Sequence, residues 1–219
     1  MKQKEIFIQS EGDAWFARNK ERVAAGKLPE SDPLLCEILE ILEIHPRPEN
    51  MRVLEIGCGD GSRLAWLKKS INADCYGIEP SANAVAAACA KGLNVCQGTA
   101  DELPFDNQTF DIVIFGFCLY LCDREDLFLI ASEADRVLRA PGWLLIMDFF
   151  SPVSQAKTYH HRPGVDTHKM DYRTLFTWHP DYECITQKVR HHIDAEYTDD
   201  QDDWTAVSVL RKYRKDLSA

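Results

Sequence analysis

The residues best suited to bind a ligand lie in a glycine-rich segment at 53–62. The sequence Val-Leu-Glu-Ile-Gly-Cys-Gly-Asp-Gly-Ser runs from an apolar stretch into Gly57, Gly59 and Gly61. Glycine adopts positive φ and lets backbone approach a ligand closely. A helix that follows directs free N–H groups and the positive end of its dipole at the same place. The pattern predicts a buried strand, a turn that binds a ligand through its backbone, and a helix.

A second chemical group follows at a spacing that fits this turn. The apolar residues Tyr76, Gly77 and Ile78 predict another strand, which ends at Glu79 and Pro80. A carboxylate at the end of the second strand of such a sheet accepts hydrogen bonds from ribose hydroxyls. We therefore predict a cofactor that carries a nucleoside.

The glycine spacing bears on which nucleoside cofactor this is. The dinucleotide fingerprint requires a third glycine where Ser62 stands, and the Gly-Lys-Ser/Thr end of a phosphate-binding loop is absent. Glu55 precedes the first glycine by two residues, where it would repel a pyrophosphate but suits an ammonium group. An NAD-dependent oxidoreductase or epimerase stays an alternative, although Tyr159, Tyr172 and Tyr182 lack a lysine at Tyr-x-x-x-Lys spacing.

The segment around the glycines resembles the class I S-adenosylmethionine-dependent methyltransferases, and the resemblance covers about residues 34–150. It implies S-adenosylmethionine as cofactor. Residues 95–105 are similar to the family's adenine-contacting segment, with Thr99 in place of the usual aspartate. The Ala100 backbone or the Asp101 carboxylate is then expected to contact the adenine, and Phe115 to lie beside the methionine part. The cofactor-binding residues implied are Glu55, Gly57, Cys58, Gly59, Gly61, Glu79, Pro80, Thr99, Ala100, Asp101 and Phe115.

The acceptor is expected to contact three segments that can reach the cofactor's methyl group. Residues 10–19 resemble the start of methyltransferases encoded with surface-sugar pathways, and are either a flap over the cofactor or a helix docked on the core. Residues 151–177 lack a clear period and predict an insertion or lid. The candidate catalytic residues are Tyr120, His160 and His161, and the candidate substrate residues are Trp15, Arg18, Tyr159 and His168. A small acceptor such as a sugar or a nucleotide-linked sugar suits them; a non-catalytic cofactor-binding module is the other alternative.

Composition excludes several classes of protein. The net charge is −10, and no basic run is longer than the pair Arg211-Lys212, which argues against coating nucleic acid. The eight cysteines form no Cys-x-x-Cys pair, so reduced thiols and a cytoplasmic location are expected. The longest apolar run, 112–122, is too short to cross a bilayer. No metal site is expected, because His160 and His161 lack an acid at ligand spacing and His191 and His192 suit a structural role.

The elements predict an α/β fold with a Rossmann-like, mostly parallel seven-stranded sheet, helices on both faces and a C-terminal antiparallel hairpin. Strands are expected near 51–56, 74–78, 93–97, 110–115, 143–149, 183–190 and 204–210, and helices near 33–45, 62–70, 81–91 and 124–139. We predict one domain over 1–219, made of a flap or helix (1–32), a cofactor-binding core (33–150), an insertion (151–178) and a terminal hairpin (179–219). A monomer or homodimer is expected.

Overall fold

The computed structural model describes residues 2–24, 31–45, 48–194 and 196–213. The strands are β1 (Arg52–Ile56), β2 (Asp74–Glu79), β3 (Asn94–Gln97), β4 (Phe110–Gly116), β5 (Leu138–Phe149), β6 (Gln155–Thr158), β7 (Asp166–Lys169), β8 (Tyr182–His191) and β9 (Trp204–Lys212). The helices are α1 (Gln3–Ile6), α2 (Gly12–Ala24), α3 (Pro33–Ile44), α4 (Ser62–Ile71), α5 (Ala82–Ala90), α6 (Leu127–Val137) and α7 (Thr174–Thr177).

The main sheet has seven strands in the order β3-β2-β1-β4-β5-β9-β8. The first five are parallel, and β9 is antiparallel to both β5 and β8. Glu55 pairs with Gly77 and Ile56 with Phe115, so the carboxyl ends of β1, β2 and β4 meet at one edge. The predicted fold class is confirmed, including the terminal hairpin. The order with the antiparallel β9 beside β5 also differs from the 3-2-1-4-5-6 order of the dinucleotide-binding fold, against the NAD-dependent alternative.

The central strands are buried on both faces, as parallel strands covered by helices are. On one face, Val53 and Ile112 pack with α3 and α4, which contribute Ile38 and Leu64. On the other face, the core includes residues of β4, α6 and α7. Asp32 caps α3 by accepting from the backbone N–H groups of the second and third helical residues, which fixes where this helix begins. The rigid sheet thereby holds the loops at its carboxyl edge.

The N-terminal segment is helical from Gln3 to Ala24, with a π-helical turn at Phe7–Glu11. Asp13 accepts hydrogen bonds from the Ser81 hydroxyl (2.6 Å) and the Asn83 backbone N–H (3.0 Å), which joins α2 to the start of α5. A Cβ at Gly12 would lie 2.7 Å from the Phe7 carbonyl oxygen and 3.1 Å from the Ser81 nitrogen. The Glu-Gly-Asp run therefore brings this helix into close contact with the loop that follows Glu79.

Residues 151–178 differ from the irregular insertion that was expected, because they contain the two-stranded sheet β6–β7 and the short helix α7. The strands are short and mostly polar, so they lack the alternation that signals a half-buried strand. Gln3 holds this hairpin against α1, since its side-chain amide accepts from the Asp166 N–H and donates to the Asp166 carbonyl.

Element boundaries shift elsewhere by a few residues. The helix expected from 124 begins with a 3₁₀ turn at Arg124–Asp126 and becomes α-helical at Leu127, and β5 begins at Leu138 rather than near 143. The division of the domain into four parts stays a prediction, and its residues 25–30 and 214–219 lie outside the described residues. All eight cysteines are free thiols. In the described ranges, no helix has the length and apolar character needed to cross a bilayer.

Candidate functional site

The glycine turn uses positive φ at three positions, Gly57 (73°), Gly59 (55°) and Gly61 (69°). Two of them face protein, because a Cβ at Gly57 would lie 2.6 Å from the Cβ of Cys118 and one at Gly61 would lie 2.4 Å from Leu93. A Cβ at Gly59 would meet no described atom within 4 Å. Gly59 is therefore the glycine of this turn that faces open space, and it lines a cleft at the carboxyl edge of the sheet.

Glu79 ends β2 beside this turn. Its Oε2 accepts from the Gly59 N–H (2.8 Å), and its Oε1 accepts from the Ser81 N–H (2.9 Å). Burial raises the pKa of Glu79, and the two backbone donors act in the opposite direction. Each carboxylate oxygen can accept more than one hydrogen bond, so the group keeps acceptor capacity toward the cleft that it lines.

The cleft has two compartments that share Phe7, Gly57, Pro80, Cys118 and Leu121 among their lining residues. The first compartment brings together the predicted residues Glu55, Gly57, Cys58, Gly59, Glu79 and Pro80. The second is lined by the predicted residues Thr99, Ala100 and Asp101, together with Ile78 and Gly98. The residues that the sequence implies for a ribose and for an adenine thus line neighbouring compartments, and their contacts with a cofactor stay a prediction.

Two predicted residues do not line the cleft. Phe115 is fully buried in the core and packs against Phe176, so it has no access to a cofactor. The next two residues, Gly116 and Phe117, line the first compartment instead; β4 ends at Gly116, and the positive φ of Phe117 (57°) breaks the alternation of the strand. Gly61 is the N-cap residue of α4, and it packs closely against Leu93. This contact fixes the start of α4.

A buried charge network supports the wall of the first compartment, and sequence reasoning missed two of its three members. Arg63 of α4 forms an ion pair with Glu55 and donates to both carboxylate oxygens of Asp32, at 2.9–3.2 Å. One guanidinium faces two carboxylates, so the network carries one net negative charge. An ammonium group in the cleft therefore remains favoured, although Glu55 is not the free carboxylate that the sequence suggested. Asp32 lies far along the chain, and no sequence signal ties it to Glu55.

Asp101 in the second compartment is held by the N-terminal segment. Burial alone would raise its pKa, but bonds from Lys4 and Thr99 outweigh that effect and lower it. Lys4 also pairs with Asp126 at 2.8 Å, and it lines the compartment itself. The expected contact of Asp101 with the adenine therefore stays a prediction, and the carboxylate is shared with a lysine that sequence reasoning missed.

A second cavity of about 350 Å³ adjoins the cleft. Trp15 and Phe117 line both, so the two spaces meet at these side chains. The structure brings together most of the predicted acceptor residues here; the lining residues are Trp15, Asn19, Phe117, Tyr120, Phe149, Thr158, Tyr159, His160, His161, Thr167, His168, Lys169 and His192. We call this space the acceptor cavity.

Arg18 is not among the lining residues of the acceptor cavity. Its guanidinium pairs with Glu11 (2.5 Å) and donates to the hydroxyl of Tyr159 (2.9 Å). It therefore joins α2 to the hairpin β6–β7, and positions Tyr159. Trp15, by contrast, lies where the flap interpretation placed it, while its neighbour Phe16 is buried. The N-terminal helix both docks on the core and covers the cleft.

Asp148, near the end of β5, fixes the loop that carries Tyr120. Its carboxylate accepts from the backbone N–H groups of Leu119 (2.8 Å) and Tyr120 (3.3 Å). Burial raises the pKa of Asp148 to about 7, although these backbone donors oppose the shift. The folded protein therefore binds a proton at a pH where the unfolded chain, with an ordinary pKa, does not.

This shift predicts a pH dependence of stability. Between pH 6 and 8 the contribution of Asp148 to the free energy of unfolding should fall by about 1.4 kcal/mol as pH rises, because the folded state loses the proton. Asp148→Asn removes that titration. The stability of the variant relative to the wild type, measured by urea unfolding, should therefore increase from pH 6 to pH 8. A difference that stays constant with pH would show that the carboxyl group titrates normally.

Comparison with known proteins shows which family this chain is similar to. The family model described as "Methyltransferase domain" matches residues 54–146. A fatty-acid O-methyltransferase of Mycolicibacterium smegmatis is 34% identical over 105 residues, which cover 46% of this chain and 38% of the relative. A ubiquinone/menaquinone biosynthesis C-methyltransferase of Idiomarina loihiensis is 29% identical over 158 residues, 67% of this chain and 62% of the relative. The chain thus spans less than two thirds of the length of either relative.

A solved structure shows the same fold. The 1,6-didemethyltoxoflavin-N1-methyltransferase of Burkholderia thailandensis, solved with its substrate and S-adenosylhomocysteine, aligns with a TM-score of 0.62 and 15% identity over 75% of this chain and 72% of that one. The domain match includes the glycine turn, Glu79 and the 95–105 segment that carry the cleft. Residues 54–146 thus match the methyltransferase domain, and the relatives and solved structures similar to this chain support a class I S-adenosylmethionine-dependent methyltransferase.

Proposed function

We propose that this protein binds S-adenosylmethionine in the cleft and transfers its methyl group to a small, hydroxyl-bearing acceptor in the acceptor cavity. The observation that carries the proposal is the junction at Trp15 and Phe117, where cleft and acceptor cavity meet. The adenine would occupy the compartment at Thr99–Asp101, the ribose would bind Glu79, and the methionine ammonium would lie near the negative network of Glu55. In this arrangement the methionine end of the cofactor, which carries the sulfonium methyl, would lie on the side of the junction.

When bound, the cofactor would supply an electrophilic methyl group, which the acceptor oxygen would attack opposite the sulfur while the C–S bond breaks and S-adenosylhomocysteine leaves. The protein's part is to align the two reactants and to exclude water, which lowers the entropic cost of reaching the transition state. Trp15 of α2 and Phe117, which directly follows β4, line both spaces at the point where the reactants would meet. An acceptor hydroxyl must also give up its proton to a base in the acceptor cavity.

The lining of the acceptor cavity supports a polyhydroxylated acceptor, such as a sugar or a nucleotide-linked sugar. Aromatic faces from Trp15, Phe117 and Phe149 can pack against the apolar C–H faces of a sugar ring. Asn19, His168 and the other polar side chains of the lining supply donors and acceptors for hydroxyl groups. This mixture suits a compact polar molecule better than a long acyl chain.

Turnover tests this proposal directly. The protein should convert S-adenosylmethionine to S-adenosylhomocysteine when sugars and nucleotide-linked sugars are supplied, with the methylated product seen by mass spectrometry. Fatty acids and precursors of ubiquinone or menaquinone, to which the names of two relatives point, should give no turnover above the acceptor-free background. Turnover with those lipids alone would replace the sugar assignment. Cofactor binding without turnover across the panel would favour a non-catalytic module.

The ribose assignment makes a separate prediction. Loss of one charge-assisted hydrogen bond costs about 1.5–3 kcal/mol, so Glu79→Gln should weaken S-adenosylhomocysteine binding roughly 10- to 150-fold. The analogue that lacks both ribose hydroxyls serves as the control. Wild type should lose affinity for this analogue, whereas Glu79→Gln should bind both compounds almost equally in calorimetry. Equal discrimination by the two proteins would mean that Glu79 does not contact the diol.

A further inference from the structure

We propose that His191, His192 and Asp203 form a binding site for a divalent transition-metal ion of the zinc class. The two histidines lie at the end of β8, and Asp203 immediately precedes β9. The sequence separates them by eleven or twelve positions, and the pairing of His191 with Trp204 in the terminal hairpin brings them together. This long-range register is the reason why sequence spacing gave no sign of a site.

The distances between the candidate ligand atoms suit one metal ion. His191 Nε2 lies 3.5 Å from Asp203 Oδ2, and His192 Nδ1 lies 3.4 Å from Asp203 Oδ1. One ligand atom from each residue lies within 4.8 Å of the others. Two ligands about 2.1 Å from a tetrahedral zinc ion lie about 3.4 Å apart, so small adjustments would complete the site. Imidazole nitrogens favour zinc, nickel or copper over magnesium or calcium.

The surroundings hold these side chains in a ligating arrangement. His191 Nδ1 lies 3.0 Å from Asp194 Oδ1, and with the proton on Nδ1 the imidazole donates to this carboxylate and keeps the Nε2 lone pair for a metal ion. A carboxylate behind a ligating histidine is the usual outer partner of a metal site. The backbone N–H of His192 also donates to the backbone carbonyl of Asp203 (3.0 Å), which fixes the two chain segments to each other.

His192 Nδ1 gives a second indication of a ligand. This nitrogen is buried, and among the described residues it forms no hydrogen bond, because its 3.4 Å contact with Asp203 Oδ1 lacks hydrogen-bond geometry. A buried polar atom without a hydrogen bond is not fully compensated for its lost hydration, so a bound ion would relieve that cost. The same histidine lines the acceptor cavity and contacts the Phe149 ring.

Three protein ligands leave at least one coordination position open, as in catalytic zinc sites. Because His192 lies on the wall of the acceptor cavity, that position is close enough to bind an oxygen of the acceptor. This orientation toward the acceptor rests on the proposed function. Metal binding itself does not, and it is measured without cofactor or acceptor.

The test is a zinc titration by calorimetry of the full chain, prepared without a histidine tag and stripped with a chelator. Wild type should bind one zinc ion per chain, and cobalt in its place should give the visible absorption of a four- or five-coordinate ion. His192→Ala and Asp203→Asn should weaken binding at least 100-fold. Asp194→Ala, which removes only the outer partner, should weaken it about 10- to 100-fold.

The double variant His160→Ala/His161→Ala is the matched control, since it removes the other adjacent histidine pair and should bind zinc like the wild type. Thermal unfolding of each variant shows whether it is folded. The proposal is overturned if wild type takes up no zinc, if His192→Ala binds it with unchanged affinity while folded, or if the His160/His161 variant loses it. Magnesium should produce no comparable heat.

Discussion

The substitution Gly59→Ala should abolish S-adenosylmethionine binding while the protein stays folded. Gly59 lines the cleft, and a Cβ there meets no described atom within 4 Å, so the new methyl group would project into the space that the cofactor needs. Its φ of 55° adds a strain of about 1–2 kcal/mol to any residue with a side chain. Calorimetry with S-adenosylhomocysteine should show an affinity at least 100-fold weaker than that of the wild type.

Gly92 provides a matched control for the strain. Its φ is 73°, and a Cβ there also meets no described atom within 4 Å, but it lies after α5 and outside the cleft. Gly92→Ala should therefore lose about as much stability as Gly59→Ala and bind the cofactor normally. Gly61→Ala should instead damage the fold, because its Cβ would lie 2.4 Å from Leu93. Normal cofactor affinity in a folded Gly59→Ala variant would contradict the proposed cleft.

The sheet and the cofactor cleft were predictable because local patterns encode them. Strands β1, β2 and β4 are short apolar runs, and parallel strands must place their carboxyl ends together. The glycine turn and Glu79 therefore had to meet, and they do so through the Gly59 N–H. The antiparallel pairing of β8 with β9 followed from two alternating segments at the end of the chain, but the position of β9 beside β5 did not.

The residues that the sequence did not reveal act through contacts between distant segments. Arg63 and Asp32 are distant along the chain, and only the packing of α3 beside α4 unites them with Glu55. Lys4 reaches Asp101 from an N-terminal helix whose path over the cleft has no periodic signal. Phe115 was assigned to the cleft because the end of a strand was known only to within a residue or two. The aromatic side chain that lines the cleft is Phe117, which follows the end of β4 at a positive φ that strand alternation does not predict.

The acceptor cavity was only partly predictable, for a related reason. The density of histidine and tyrosine in 157–172 indicated a binding segment, and the hairpin β6–β7 does bring Tyr159, His160, His161 and His168 to one cavity. Their roles depend on how deeply each side chain is buried, which the sequence does not encode. His160 and His161 are exposed near the hairpin tip, whereas His168 is half-buried on β7.

We predict that His168 is the general base for a hydroxyl acceptor. Burial, and after it the positive charge of Arg124, lowers the pKa of His168 below its ordinary value of 6.5. The imidazole is therefore neutral at physiological pH and able to accept a proton. His168→Gln should lower kcat about 100-fold or more, within the range for loss of a general base. Cofactor affinity, measured by calorimetry, should remain that of the wild type, because His168 does not line the cleft.

The pH profile of kcat distinguishes a general base from a residue that has only a structural role. Because activity needs the neutral form, wild-type kcat should rise through an acidic limb below pH 6.5 and then reach a plateau, and His168→Gln should lack that limb. His179→Gln, which changes a histidine outside the linings of cleft and acceptor cavity, should keep both kcat and the limb. If His168→Gln retains wild-type kcat and profile, the proton goes elsewhere, and the exposed pair His160 and His161 or the buried Tyr120 becomes the site to test. An amine acceptor, which can lose its proton before it binds, would show no such dependence on any of these residues.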